Sequence, residues 1–426
     1  MKECWFNTFT TTLLLIAFFS ASAIAQNAKA EKIDRLVTGL ARTGHFSGTV
    51  VASENGKVIY EKAFGYANAD FKVPNAANTR IGIASITKPM TSVILFRLIG
   101  EGKVRLEDKL SKYIPDFPSG EKITVDMLHR HRSGIPHRVM PPEQETLRYT
   151  SAEMVEKVKA AKLAFEPGAE RLYSSAGYTV LARVLEIASG RSYAELLNTY
   201  VFAPAGMRDS VDYDGVKIME RRAQDYMLDG DGYRNAALKD YSFLIGAGSV
   251  YGTAMDVHRF AEALVGGKYG TEAASGLVRD GAFAASGSTN GHRSYVEMKA
   301  DRSYGFAIVS NLGAGSFDIV QAGVKQIMEG KEPTVTTVSV PKFDPAANPD
   351  LSKFTGKYKS PQSGEIEIVN RGGSLYSSDI RLYSVKPNCF FDFRFFGEAC
   401  FTKPDDAPVT LVWKGPTFSL TWVKQP

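Results

Sequence analysis

Residues 83–91 read Ile83-Ala84-Ser85-Ile86-Thr87-Lys88-Pro89-Met90-Thr91. An apolar helical pattern runs on from Ser85 to Glu101 through Val93, Ile94, Phe96, Leu98 and Ile99, and Gly100 and Gly102 mark its end. A serine and a lysine three positions apart on a helix share one face, one turn apart. The amine can then approach the hydroxyl, and where its surroundings disfavour charge it can act as the base that activates the serine. A serine at a helix N-terminus also gains from the dipole and the free backbone N–H groups. Pro89 falls in the first turn, where proline is tolerated. Spacing alone is weak evidence, because Ser119 to Lys122 and Ser339 to Lys342 share it. Those two lie in a Pro-Ser-Gly loop and a proline-rich stretch, whereas Ser85 opens an apolar helix.

Around this helix the pattern is α/β. Phe46 to Ser53 and Lys57 to Phe64 are rich in β-branched and aromatic residues and flank Asn55-Gly56, a hairpin signal. Residues 103–150 are mostly irregular. Thr150-Ser151-Ala152-Glu153 is a capping box that opens a helix to about Lys162, and Ala176 to Ala188 is a helix closed by Gly190. Ser192-Tyr193-Ala194-Glu195 opens another, expected to end before Pro204. A glycine-rich loop, Gly246 to Gly252, precedes a helix from Ala254 to Val265. Phe283 to Asn311 reads as strands, with Tyr295 to Lys299 and Tyr304 to Ser310 paired about Asp301-Arg302. Phe317 to Met328 is a helix. Strands at both ends with helices between them predict that the terminal segments share one antiparallel sheet.

The composition shifts near Gly330. Lys331 to Asp350 has prolines at 333, 341, 345 and 349 and reads as a linker between a first domain, 26–330, and a tail, 351–426. The tail holds short β runs: Gly364 to Val369, Ser374 to Tyr376, Phe390 to Phe396, Val409 to Trp413 and Phe418 to Val423. They predict a small all-β domain, a barrel or a sandwich. Cys389 and Cys400 either form a disulfide in an oxidising compartment or remain two buried thiols.

The first 25 residues read as a secretory signal. Leu13 to Phe19 is its apolar centre, and Ala23-Ile24-Ala25 ahead of Gln26 is a small-x-small cleavage site. Cleavage after Ala25 implies a periplasmic or secreted chain. No later segment has about 18 uninterrupted apolar residues, so no membrane span is expected after cleavage. The net charge of +5 has no basic stripe behind it, which argues against nucleic-acid binding. No cofactor or metal is expected: His129, His131 and His137 lack a ligand spacing, and Asp229-Gly230-Asp231-Gly232 reads as a turn rather than a calcium loop.

The run 83–91 resembles the nucleophile motif of the serine β-lactamase-like, penicillin-recognising family. The similarity covers about residues 35–330. It takes in Phe64-Gly65-Tyr66-Ala67, Leu106 to Leu110 with Tyr113-Ile114-Pro115, and His131-Arg132-Ser133-Gly134-Ile135-Pro136. It continues through Phe165-Glu166-Pro167-Gly168, Tyr173-Ser174-Ser175-Ala176-Gly177-Tyr178 and Gly246-Ala247-Gly248. Phe354-Thr355-Gly356-Lys357-Tyr358 gives the tail a resemblance to the lipocalin-like β-domain appended to such hydrolases. The fold so implied is α/β: a β-lactamase/DD-peptidase-like antiparallel sheet flanked by helices, plus an all-helical part, followed by the small barrel-like domain.

The resemblance implies catalytic roles for Ser85 as nucleophile, Lys88 as base and Tyr173 as proton relay. The family's second motif is Tyr-x-Asn, and Ser175 takes the asparagine position here. Its reach is shorter, so it is expected to hold Lys88 or the substrate carbonyl less firmly, through a water. The third motif falls on Ala285-Ser286-Gly287, with Ala285 in place of the basic or imidazole group. Ser286, Gly287 and Ser288 then line the substrate, and the N–H groups of Ser85 and Ser288 form the oxyanion hole. His292 can stand in for the missing group or simply be packed. The implied activity is an acyl-enzyme serine hydrolase acting on a small peptide, including D-amino-acid peptides, or an ester. The loss of the group at 285 ranks these above β-lactams and argues against a free-carboxylate substrate. The alternative is a degenerate family member that binds cell-wall peptides or a partner without turnover.

Overall fold

Asn55 and Gly56 both have positive φ, 51° and 74°, the turn geometry that matches the twist of two paired strands. They join β1 (Gly48–Glu54) to β2 (Lys57–Phe64). The structure, a computed structural model, describes residues 27–425 except 231, 338, 362, 379, 403–407 and 417. The expected signal segment, 1–25, and Asp231 of the acidic turn lie outside the described residues.

A helix over 27–42, α1, precedes the hairpin. Helices α2 (Thr87–Gly100), α3 (Ser175–Ser189) and α4 (Ala254–Val265) follow. Then come β3 (Ala282–Ser288), β4 (Arg293–Lys299), β5 (Tyr304–Ser310) and α5 (Ser316–Met328). The sheet order is β3-β4-β5-β1-β2, antiparallel throughout. Gly48 lies opposite Ser310 and Glu54 opposite Tyr304, so the two ends of this region do share one sheet.

The strand period of two explains how one sheet serves two cores. Val51 faces a large core with residues of α2, α3 and α4, while its neighbours Val50 and Ala52 face a second core with α1 and α5. Helix α2 is buried around most of its circumference, at Met90, Thr91, Ser92, Val93, Ile94 and Leu95 among others. It is a central helix, which fixes its first turn firmly in space.

Two helix boundaries differ from expectation. The helix capped by Thr150 and Glu153 stops at Lys159, short of Lys162. The one capped by Ser192 passes through a π-helical turn, Asn198–Phe202, and runs past Pro204 to Ala205 before Gly206 ends it. A wider turn leaves the carbonyls before Pro204 without the usual i−4 demand, which lets the proline be accommodated.

The tail is a closed barrel of eight antiparallel strands: β6 (Gly356–Ser360), β7 (Gly364–Arg371), β8 (Ser374–Ser377), β9 (Ile380–Lys386), β10 (Cys389–Asp392), β11 (Gly397–Thr402), β12 (Thr410–Lys414) and β13 (Ser419–Lys424). Tyr358 opposite Lys424 closes it. Cys389 and Cys400 are register partners and form a disulfide. The run Phe390 to Phe396 is not one strand. After Asp392 the chain turns, because the Asp392 carboxylate accepts from the Phe395 N–H at 2.6 Å and the Trp413 indole N–H at 2.6 Å. The turn sends Phe393 and Phe396 into the second core beside α5, and the Gly315 N–H donates to the Phe393 carbonyl at 3.2 Å. Each buried phenylalanine contributes about 2 kcal/mol, so the barrel is fastened to the sheet by its own aromatic turn. Among the described residues no helix is long and apolar enough to cross a membrane.

Candidate active site

The turn before α2 is held from two sides. The Ser294 hydroxyl donates to the Ile83 carbonyl at 2.7 Å, and the Ile83 N–H donates to the Val250 carbonyl at 2.9 Å. Between them Ala84 adopts φ 48°, an uncommon region for a residue with a side chain. Such strain persists only where the surroundings impose it, and it clusters at functional sites. Ser85 follows, in a short 3-10 turn, Ala84–Ile86, that leads into α2.

Two side chains meet Ser85 Oγ. The Lys88 ammonium donates to Ser85 Oγ at 3.1 Å, and the Tyr173 hydroxyl donates to Ser85 Oγ at 2.8 Å. Lys88 also reaches Ser175 Oγ at 3.2 Å and the Ala247 carbonyl at 2.8 Å. Ser175 therefore touches Lys88 directly, without the water that its short reach suggested. Lys88 is only 5% exposed, and burial pushes its pKa down to about 7. Near neutral pH the amine is thus available with its lone pair. It can then keep donating to Ala247 and Ser175 while accepting from the Ser85 hydroxyl. The Tyr173 phenol is pushed up by burial, so it stays protonated and keeps its donor role.

The loop that carries the Ala247 carbonyl is pinned to α2. Thr91 Oγ1 donates to the Gly246 carbonyl at 2.6 Å, and the Val250 N–H donates to Thr87 Oγ1 at 3.3 Å. Gly246 has φ 77°, and a Cβ there would meet the Tyr178 carbonyl at 2.8 Å. The Tyr173 segment is set by two histidines. The Ser174 N–H donates to His131 Nδ1 and the Ser175 N–H to His137 Nδ1, each at 3.2 Å. Both rings pack on Tyr173, with centroids at 4.7 and 5.4 Å. Burial pushes the His131 imidazole down to about 4 and lowers that of His137, so both remain neutral acceptors near pH 7. These histidines orient the Tyr173 segment.

Strand β3 forms the facing edge. Ser286 and Ser288 line the cleft, as does Ala285, while Gly287 is turned against the Ser85 turn. A Cβ on Gly287 would collide with the Ile83 carbonyl, lie 2.5 Å from Ser294 Oγ and lie 2.9 Å from the Ser85 nitrogen. His292 does not enter the cleft. It is 1% exposed, packed under Gly82 against the Asp225 carboxylate, with Nδ1 3.2 Å from Thr289 Oγ1. It is the packed histidine of the two expectations. The cleft has a volume of about 690 Å³ and also reaches Arg138, Glu145, Arg171, Lys239 and Tyr241. Of the other two Ser-x-x-Lys runs, Ser119 sits in a turn at φ 59°, with Lys122 paired to Glu166, and Ser339 and Lys342 are exposed.

A serine hydroxyl held between a buried amine and a phenol, in the turn that leads into the central helix, is an arrangement in which a lysine can activate a serine nucleophile. A family model described as Beta-lactamase matches residues 33–324. The chain belongs to the beta-lactamase family, and its relatives include penicillin-binding-protein-like and class C beta-lactamase-like proteins. It is 30% identical over 223 residues to the putative penicillin-binding protein PbpX of Bacillus subtilis (strain 168), covering 52% of this chain and 56% of that protein. It is 30% identical over 241 residues to the teichoic acid D-alanine hydrolase of Staphylococcus aureus (strain MRSA252), covering 55% and 57%. The chain spans little more than half the length of these relatives. The crystal structure of FmtA from Staphylococcus aureus shares the fold, with a TM-score of 0.64, 22% identity, and coverage of 75% of this chain and 94% of that one.

Proposed function

We propose that the chain is an exported serine hydrolase that cleaves a peptide, including D-amino-acid peptides, or an ester through an acyl-enzyme on Ser85. The observation that carries this reading is the pair of contacts on Ser85 Oγ, 3.1 Å to Lys88 Nζ and 2.8 Å to Tyr173 Oη. In the first step Ser85 Oγ bonds to the carbonyl carbon, its proton passes to neutral Lys88, and the carbonyl electron pair moves onto oxygen. The N–H groups of Ser85 and Ser288 stabilise that oxyanion. The bond to the leaving atom then breaks, Tyr173 gives that atom its phenolic proton, and the proton held by Lys88 restores the phenol. Water repeats the sequence on the acyl-enzyme and releases the acid.

A teichoic acid D-alanine hydrolase and a putative penicillin-binding protein among the relatives support an acyl group of the D-amino-acid class. The signal-like first 25 residues support export. The absence of a basic side chain at Ala285 ranks esters and peptides above β-lactams. A panel of a D-alanyl ester, a D-alanyl-D-alanine peptide and a chromogenic cephalosporin checks the assignment. The expected order is turnover of the ester or the peptide ahead of the cephalosporin, lost in Ser85→Ala. Binding of the peptide with no turnover of any of the three would instead favour the degenerate binder.

A further inference from the structure

The charge around the cleft is lopsided. Its acidic lining residue, Glu145, is 2% exposed and ion-paired with Lys239. Arg138 and Arg171 also line the cleft and face solvent, and neither is among the ion pairs of the described residues. Both stand on the Tyr173 side. Arg171 is two residues before Tyr173, and Arg138 follows His137, whose ring packs on Tyr173. Burial is the main cause that keeps the His131 and His137 imidazoles neutral; Lys88 comes next for both, and Arg171 and Arg138 respectively add to it. The fixed cations of this wall are therefore the two guanidinium groups. A planar guanidinium matches carboxylate and phosphate oxygens with two parallel hydrogen bonds. A walled cleft of one sign also concentrates the opposite sign.

We propose that Arg138 and Arg171 form an anion subsite on the Tyr173 side of the cleft, and that the substrate carries a carboxylate or phosphodiester held there. The cation missing at Ala285 on β3 is thus supplied from the other wall, and an anionic substrate, which Ala285 alone argues against, is restored. This rests on the reading of Ser85 as the nucleophile.

The test uses the full-length protein and matched esters. One series is the acetyl esters of 4-hydroxybenzamide, 4-hydroxybenzoate and 4-hydroxyphenyl methyl phosphate. The other is phenyl esters with a neutral or a carboxylate-tipped acyl chain. At least one anionic ester is expected to exceed its neutral partner in kcat/KM by about tenfold or more, as charge-assisted contacts allow. Added salt shrinks that advantage, and an Arg138→Gln/Arg171→Gln double variant brings the anionic-to-neutral ratio close to one. The series that shows the effect tells which side of the scissile bond carries the anion, and the carboxylate and phosphodiester arms tell which anion is preferred. No anionic preference in either series overturns the subsite, as does a preference that survives the double variant. Ser85→Ala on the neutral ester separates the two claims. If turnover persists there, the nucleophile reading fails; if it vanishes while anions gain nothing, only the subsite fails.

Discussion

Lys88→Met is expected to lower kcat/KM by about 10³-fold, within the range that positioned general bases supply. The wild type should show kcat/KM rising with pH through a limb near 7, because the active form of Lys88 is the neutral amine and burial has brought its pKa to about 7. The sign follows from the chemistry: below that pH the ammonium has no lone pair for the Ser85 proton, and above it the amine accepts. The variant should lose this limb along with the rate. Methionine keeps an unbranched apolar stem of similar length, so the packing of α2 is largely preserved. It leaves the Ala247 carbonyl without the donor it has at 2.8 Å, a cost of about 1–3 kcal/mol. It also removes an amine that burial disfavours as a cation. A thermal melt within a few degrees of wild type, beside the lost rate, assigns the loss to chemistry. Steady-state kinetics from pH 5 to 9 on both proteins provide the check. A variant with wild-type kcat/KM, or a wild type whose limb lies where an ordinary lysine titrates, contradicts the role of Lys88.

Gly287→Val should lower kcat by at least 10²-fold, about the cost of disabling one oxyanion donor. The added Cβ has no room: it meets the Ile83 carbonyl, Ser294 Oγ and the Ser85 nitrogen at once. Two of these groups are backbone atoms of the Ser85 turn, so either β3 withdraws or the turn that carries the nucleophile shifts. In both cases the oxyanion hole proposed for the Ser85 and Ser288 N–H groups is disrupted. Gly100→Ala, in the last turn of α2, is the control, because a Cβ there meets nothing within 4 Å. It should keep wild-type kinetics. Equal kinetics for the two variants would show that the approach of β3 to Ser85 is immaterial to turnover.

The sequence made the local devices readable and left the tertiary ones hidden. Asn55-Gly56, the capping boxes at Thr150 and Ser192, and Gly190 in the left-handed conformation act within a few residues, so composition reveals them. The meeting of Ser85 with Lys88 follows from helix spacing, and that of Tyr173 from motif order. The strand reading missed Gly356–Ser360, Ile380–Lys386 and Gly397–Thr402; in the first two, lysines, an arginine and serines make half-exposed strands look like loops. It ran through Asp392, because the turn there depends on a carboxylate accepting from Trp413, twenty-one residues away. The Ala247 carbonyl carries no side-chain signature, so its bond to Lys88 could not be read from residue types. The presence of both Arg138 and Arg171 on the cleft is equally silent, since they lie far apart in the chain.

Everything proposed for this cleft depends on Ser85 being the nucleophile. The most direct measurement is intact-mass and peptide-mapping mass spectrometry of the purified protein after treatment with a fluorophosphonate. A single adduct on the peptide containing Ser85 is expected, absent from Ser85→Ala and absent from the peptides containing Ser119 and Ser339. No adduct on the wild type, or an adduct that persists in Ser85→Ala, would contradict the assignment of Ser85 as the nucleophile.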